Sequence, residues 1–129
     1  MQWRDFIDDS HPAAQQLASW LGGLWPPTRN WAVGELDSLM EDAAAGKLTW
    51  DSTPNAKTNV VPVRADPELF ELRWKILTTH IRQYHAEPTV LPDHLVSLHM
   101  HIKSNKADQD QQISDAQDRY KSGASAHWL

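Results

Sequence analysis

The chain has no cysteine among its 129 residues, which excludes a disulfide framework and any thiolate zinc site. No stretch approaches the roughly 18 apolar residues of a membrane span. The start, MQWRDFIDDS, lacks the charged-then-apolar run of a secretory signal, so a cytoplasmic location is expected. Basic charge is in deficit: 12 Lys and Arg against 17 Asp and Glu leave −5, which argues against indiscriminate nucleic-acid binding. No internal repeat or low-complexity segment is present. A single domain over 1–129 is expected, long enough to bury about two-thirds of its unfolded surface.

What charge there is lies unevenly. Residues 1–56 carry eight acidic and three basic groups, residues 57–106 five acidic and seven basic, and residues 107–129 four acidic and two basic. The basic middle segment also holds His80, His85, His94, His99 and His101, whose protonation would add positive charge below about pH 6.5. Seven tryptophans are many for this length. They read as core and rim packing, with stacking of one or two exposed rings on bases or a partner as the alternative.

Residues 2–7 read as an edge strand. Leu17, Trp20, Leu21 and Leu24 recur at helical spacing, with Ser10 as a possible N-cap and Pro26-Pro27 as the stop. Trp31, Leu36, Leu39, Met40 and Ala43 give a second helix, capped by Thr28 or Asn30 and ended by Gly46. Its acidic residues Glu35, Asp37, Glu41 and Asp42 read as a solvated face or a partner-facing patch. Residues 51–59 read as a loop, and Val60, Val61 and Val63 as a short strand interrupted by Pro62. Residues 66–85 fit two patterns. Asp66-Pro67-Glu68 would open a helix, yet Phe70, Leu72, Trp74 and Ile76 alternate with Glu71, Arg73 and Lys75 as a strand would. In the second case Thr78-Thr79 turns a hairpin, and Arg82 and Tyr84 share a face opposite Ile81 and Gln83. A last helix is expected over Asp108–Tyr120, with Ile113, Ala116, Gln117 and Tyr120 on one face. Residues 122–129 read as a frayed tail, and 1–27 as either core or a partner-binding extension.

The clearest pattern runs from Leu95 to Lys103. Val96, Leu98, Met100 and Ile102 alternate with Ser97, His99, His101 and Lys103, which reads as a half-buried strand with an apolar face and a basic, titratable face.

Four segments in order, LFELRW (69–74), HIRQYH (80–85), LVSLHMHIKSNK (95–106) and ISDAQDRYK (113–121), resemble the HigB branch of the RelE/ParE toxin superfamily. That pattern is an ELR strand, a strand with a central arginine, an apolar strand ending in lysine, and an A-x-x-R helix. The resemblance covers roughly 50 residues and favours the hairpin for 68–85. It implies an α+β fold, with helices on one face of a small, mainly antiparallel twisted sheet, the other face open, and a C-terminal helix. It further implies a toxin of a type II toxin–antitoxin system. Such a protein is a metal-independent endoribonuclease that cleaves messenger RNA, usually on the ribosome, inhibits translation, uses no cofactor, and is held in check by a cognate antitoxin, often a helix-turn-helix protein.

Metal-free RNA cleavage needs a base for the 2′-OH, an acid for the departing 5′ oxygen, and cations for the charge on phosphorus. Histidine serves either proton role near neutral pH, and arginine forks suit phosphate oxygens. His99 and His101 are the acid/base candidates. Arg82 and Lys103 join them in catalysis, Arg73 and Lys106 hold phosphate, and Tyr84 stacks on a base or donates a hydrogen bond. The plainer readings are a solvated sheet surface for the histidines, pairing with Glu71 or another acid across the sheet for Arg73, structural or exposed roles for His85 and His94, and packing or pairing for Arg119 and Tyr120. Two other function classes stay open. One is a non-catalytic protein-binding module on the same fold, favoured by the acidic charge and the polar second strand. The other is a zinc site built on His99 and His101, with His80 or His85 as third ligand.

Overall fold

The structure is a computed structural model that describes residues 1–47, 60–65 and 67–129. The loop read over 51–59, Trp50 and the capping role of Asp66 lie outside the described residues. The element order is β1 (Gln2–Asp5), α1 (Pro12–Gly23), α2 (Pro26–Ala44), β2 (Val60–Ala65), β3 (Glu68–Ile76), β4 (Thr79–Ala86), β5 (His94–Ile102) and α3 (Lys106–Ser125). The fold is α+β. The described residues form one five-stranded open sheet in the order β1-β5-β4-β3-β2. β1 runs parallel to β5, and the other three pairings are antiparallel.

Residues 68–86 form the hairpin, with Ile76 opposite Thr79. The turn lies one residue earlier than expected, at Leu77-Thr78, and Leu77 takes a positive φ of 57°. β2 tolerates Pro62 because it is an edge strand with a register shift between Pro62 and Arg64. The helix ends differ from the sequence reading at their starts. His11, not Ser10, caps α1, its Nδ1 accepting the Ala13 N–H at 3.0 Å. Pro26-Pro27 opens α2, ahead of Thr28 and Asn30, as suits residues whose missing N–H has no helical acceptor there anyway. At the other end Gly46, φ 71°, donates to Ala43 O while Lys47 donates to Asp42 O, the paired bonds of a glycine-terminated helix.

Two apolar clusters flank the sheet. Leu17 of α1 and Ala32 and Leu36 of α2 pack with Leu72, Trp74, Ile76 and Ile81. Ile113 and Ala116 of α3 pack with Leu69, Tyr84, Ala86, Val96 and Leu98. Odd and even residues of one strand point to opposite faces, so Ile81 and Tyr84 of β4 put these clusters on opposite sides. The expectation of helices on one face is therefore corrected: α1 and α2 cover one face and α3 covers the other. The strands on the second face alternate apolar and polar residues, and α3 meets both kinds, which its low overall hydrophobicity did not announce.

The N-terminal segment belongs to the core. Trp3 donates its indole N–H to Met40 O at 2.7 Å, and Leu17 is buried. The tail is also docked rather than frayed. Trp128 is 2 % exposed, its ring set edge-on to Phe6 and Tyr120, and its carbonyl accepts from Arg4 at 2.6 Å. A Cβ on Gly123 would lie 2.2 Å from the Trp128 ring, so only glycine lets that ring lie against α3.

Candidate functional site

β5 sets the site, and it does so by breaking its own alternation. Tyr84 pairs with His99, but the next residue, His85, pairs with Ser97. Leu98 is thus an extra residue, a β-bulge that shifts the phase of side chains along the strand. Val96 and Leu98 face α3, whereas Met100 and Ile102 pack on the α1/α2 cluster. The single apolar face read for 95–103 is corrected on that ground. His99, opposite Tyr84, and His101, opposite Arg82, share the α3 face with Leu98.

Register brings the sequence-derived residues together. Arg73 lies opposite Arg82, and Arg82 opposite His101, in one row across three strands. Next to it, Glu71 lies opposite Tyr84 and Tyr84 opposite His99. This is not an open basic face. His99 is 3 % and His101 1 % exposed, and Glu71, Arg82 and Tyr84 are also buried.

The buried groups form a connected polar layer. Glu71 is its centre: Arg73 Nε lies 2.6 Å and Arg82 Nε 3.5 Å from its Oε1, while Gln109 of α3 donates to its Oε2 at 2.9 Å. The alternative role read for Arg73, pairing with Glu71, is thus observed. Tyr84 Oη and His101 Nε2 are 2.8 Å apart, and their rings stack at 5.4 Å. His99 Nε2 bonds Gln112 Oε1 of α3. Gln109, Gln112, Ile113 and Ala116 recur at helical spacing, so α3 presents its polar first turns to this layer and its apolar middle to Leu98 and Leu69.

Burial dictates the protonation states. Desolvation, then the neighbouring His99, pushes His101 down to about 4. His99 is also lowered by burial, against the opposing pull of Gln112. Desolvation followed by Glu71 raises the Tyr84 phenol. Burial lowers Arg82 against the attraction of Glu71. At neutral pH both histidines and the tyrosine are uncharged.

Basic groups that solvent reaches lie at one end of the layer. Lys75, opposite His80, continues the face of Arg73 and Arg82, and the Lys103 N–H donates to His80 O at 2.8 Å, extending β5 by one residue. Lys75, His80 and Lys103 are exposed, and Arg73 is about a third exposed, at 36 %. Lys106 opens α3 close by, with Asn105 as its N-cap. Desolvation, followed by the charges of Arg82, Lys75 and Lys103, lowers the pKa of His80. Sequence reasoning passed over His80 as a site residue of this row. The hairpin register was the signal that could have found it.

The remaining histidines take quieter roles. His85 lies on the other face between Trp3 and Phe70, and burial lowers it to about 4. His94 Nδ1 is 3.0 Å from Pro92 O. Arg119 donates to Phe6 O and lies 3.9 Å over the Phe6 ring. His80 and His85 do not join His99 and His101 in a ligand cluster. Instead His11 and Asp115 approach His99. No helix among the described residues is long and apolar enough to cross a membrane. Comparison with protein-family models, with curated proteins and with solved structures finds no match to this chain.

Proposed function

We propose that the chain is a HigB-like toxin of a type II toxin–antitoxin system, an endoribonuclease that takes messenger RNA at the open end of the β3–β4–β5 face. The observation that carries this reading is the cross-strand row Arg73–Arg82–His101, continued into solvent by Lys75, His80 and Lys103. Of these, Arg73, Lys75 and Lys103 are the cations that solvent reaches, and such cations suit successive phosphates of one RNA strand. The four segments of the toxin pattern fall on β3, β4, β5 and α3 in that order, which supports the same reading.

In this proposal the 2′ oxygen attacks the adjacent phosphorus, the P–O5′ bond breaks, and a 2′,3′-cyclic phosphate and a 5′-OH result, the departing 5′ oxygen taking its proton from solvent water. Arg73, Arg82 and Lys103 stabilise the charge on the phosphoryl oxygens, and Lys106 holds the next phosphate. His80 is the exposed imidazole of the row. Its lowered pKa keeps it neutral and able to take the 2′-OH proton. His101 and His99 act from beneath α3, with Tyr84 and His101 fixing the floor on which Arg82 rests. The RNA is taken in the cytoplasm on the ribosome, no cofactor takes part, and a helix-turn-helix antitoxin covers the basic end.

A second reading, a non-catalytic binding module, is favoured by Glu71, which pairs with both arginines. Inducible expression separates the two. With the intact chain, new messenger RNA 5′ ends bearing hydroxyls are expected within minutes. His80→Ala should lower cleavage by about 10²–10⁴-fold. Lys75→Ala and Lys103→Ala should each reduce the salt dependence of RNA binding by about one unit of slope. Cleavage that survives His80→Ala but not His101→Ala would return the proton transfer to His101. Folded protein, normal growth and no new ends would establish the binding module instead.

A further inference from the structure

A second cluster lies where the start of α1 meets β5 and α3, and of its three residues the RNA reading uses only His99. His11 at the start of α1, His99 of β5 and Asp115 of α3 each offer a ligand atom, and those atoms lie within 4.8 Å of one another. His11 Nε2 is 3.0 Å from Asp115 Oδ2, and the His11 ring stands edge-on to His99 at 4.6 Å. The three residues line a cavity of about 290 Å³ together with Asp8, Asp118 and Arg119. Arg119 is engaged by the Phe6 carbonyl and ring, so the remaining charged neighbours are carboxylates.

The hydrogen bonds around His99 fix its tautomer. Gln112 donates through its Nε2 to Asp108 Oδ1 at 3.2 Å, which turns its Oε1 toward His99 Nε2. A carbonyl oxygen accepts, so His99 carries its proton on Nε2 and keeps a lone pair on Nδ1. No described residue bonds that Nδ1. A metal-binding imidazole needs this arrangement: one nitrogen donating to a carbonyl, the other open. His11 differs. Its Nδ1 accepts the Ala13 N–H, so in the metal-free chain its proton sits on Nε2 and points at Asp115.

We propose that His11 Nε2, His99 Nδ1 and the Asp115 carboxylate form a binding site for a divalent ion of the zinc class. Two imidazoles and one carboxylate are a zinc donor set that leaves a fourth position for water. Imidazole ligands favour this class over magnesium or calcium. On binding, the ion takes the place of the His11 Nε2 proton. That proton moves to Nδ1. The Ala13 amide then loses its acceptor. The ion would tie the start of α1 to β5 and α3.

The test uses tag-free full-length chain stripped with a chelator and titrated with Zn2+ alone, with Co2+ as the spectroscopic probe. One Zn2+ per chain is expected, with visible Co2+ absorption from imidazole coordination and a shift of the Ala13 amide resonance. His11→Asn keeps a side-chain cap for α1 yet removes the imidazole. It and Asp115→Asn should each abolish the Co2+ bands. Gln112→Leu should weaken Zn2+ by about 10–100-fold, and His94→Ala, away from the cluster, should change nothing. Folded chain with neither Zn2+ binding nor Co2+ bands would overturn the proposal and leave an ordinary His11–Asp115 hydrogen bond. So would binding that survives the His11→Asn/Asp115→Asn double variant.

Discussion

The two faces of the sheet bury polar groups on opposite terms. Under α3, Glu71, Arg82, Tyr84, His99 and His101 are all buried and each makes a side-chain hydrogen bond or ion pair, although Arg82 Nε, 3.5 Å from Glu71, has no hydrogen-bond partner among the described residues. Under α1 and α2, Gln83 is completely buried, and neither its amide nitrogen nor its oxygen has a hydrogen-bond partner among the described residues. Trp74 Nε1 and His85 Nδ1 share that condition. An orphaned buried amide costs the full price of its desolvation, whereas a joined network recovers most of it. The α3 face is therefore organised around polar chemistry, and the α1/α2 face merely contains some.

Removing the centre of the network should break this contrast most severely. Glu71→Leu leaves Arg73 and Arg82 facing each other with their buried counter-charge gone, and should cost about 3–5 kcal/mol in denaturant unfolding. A loss under 1 kcal/mol would mean that the arginines are held by solvent instead. Acid acts on both faces at once. His85 and His101, each near 4 when folded, return to about 6.5 when unfolded. The unfolded chain then binds more protons between those values, so stability is full above about pH 6.5 and falls as pH drops toward 4. Each group contributes on the order of 3 kcal/mol to that fall. His85→Phe should remove one share and leave the other; unchanged acid sensitivity would place the loss elsewhere.

The contrast can also be sharpened by repair. Gln83→Leu removes the orphaned amide between Leu72 and Met100, its cross-strand neighbours. It should stabilise the chain by about 1–3 kcal/mol, read as a higher denaturant midpoint at unchanged slope; destabilisation would show that the amide is satisfied in solution. The smallest effect belongs to the helix that covers the network. Asn105 Oδ1 accepts the Asp108 N–H at 2.8 Å, and Asn105→Ala should cost about 1 kcal/mol. Hydrogen exchange should quicken in the first turn of α3 before it does in α1.

Much of this arrangement was legible in the residues. The Ile113 and Ala116 stripe and the glycine stop at Gly46 follow from local geometry, and the structure carries them, whereas the alternation over 70–76 competed with a helix start at 66–68 until the resemblance favoured the hairpin that the structure has. What escaped has specific physical causes. The bulge at Leu98 leaves no mark on the sequence, because an extra residue in a strand does not change which residues alternate, only where each half points. The covering role of α3 was hidden by Gln109 and Gln112, which look solvent-facing until Glu71 and His99 are found opposite them. His11 and Asp115 lie 104 positions apart, a separation no spacing rule spans. Asn105, by contrast, sits where a capping residue is wanted, and only the first turn's register kept it from view.

The sheet's margins have a further consequence, for self-association. An open sheet has two edges, each a template for pairing with another copy. β1 is four residues long and covers only 94–97 of β5. α1 also packs against β5, with Leu17 in one cluster with Met100 and Ile102 of its second half. At the opposite margin, Pro62 removes one donor from β2 and the adjacent register shift twists it. The molecule is thus built to resist edge-to-edge polymerisation by two different devices, a short edge strand on one side and a broken template on the other.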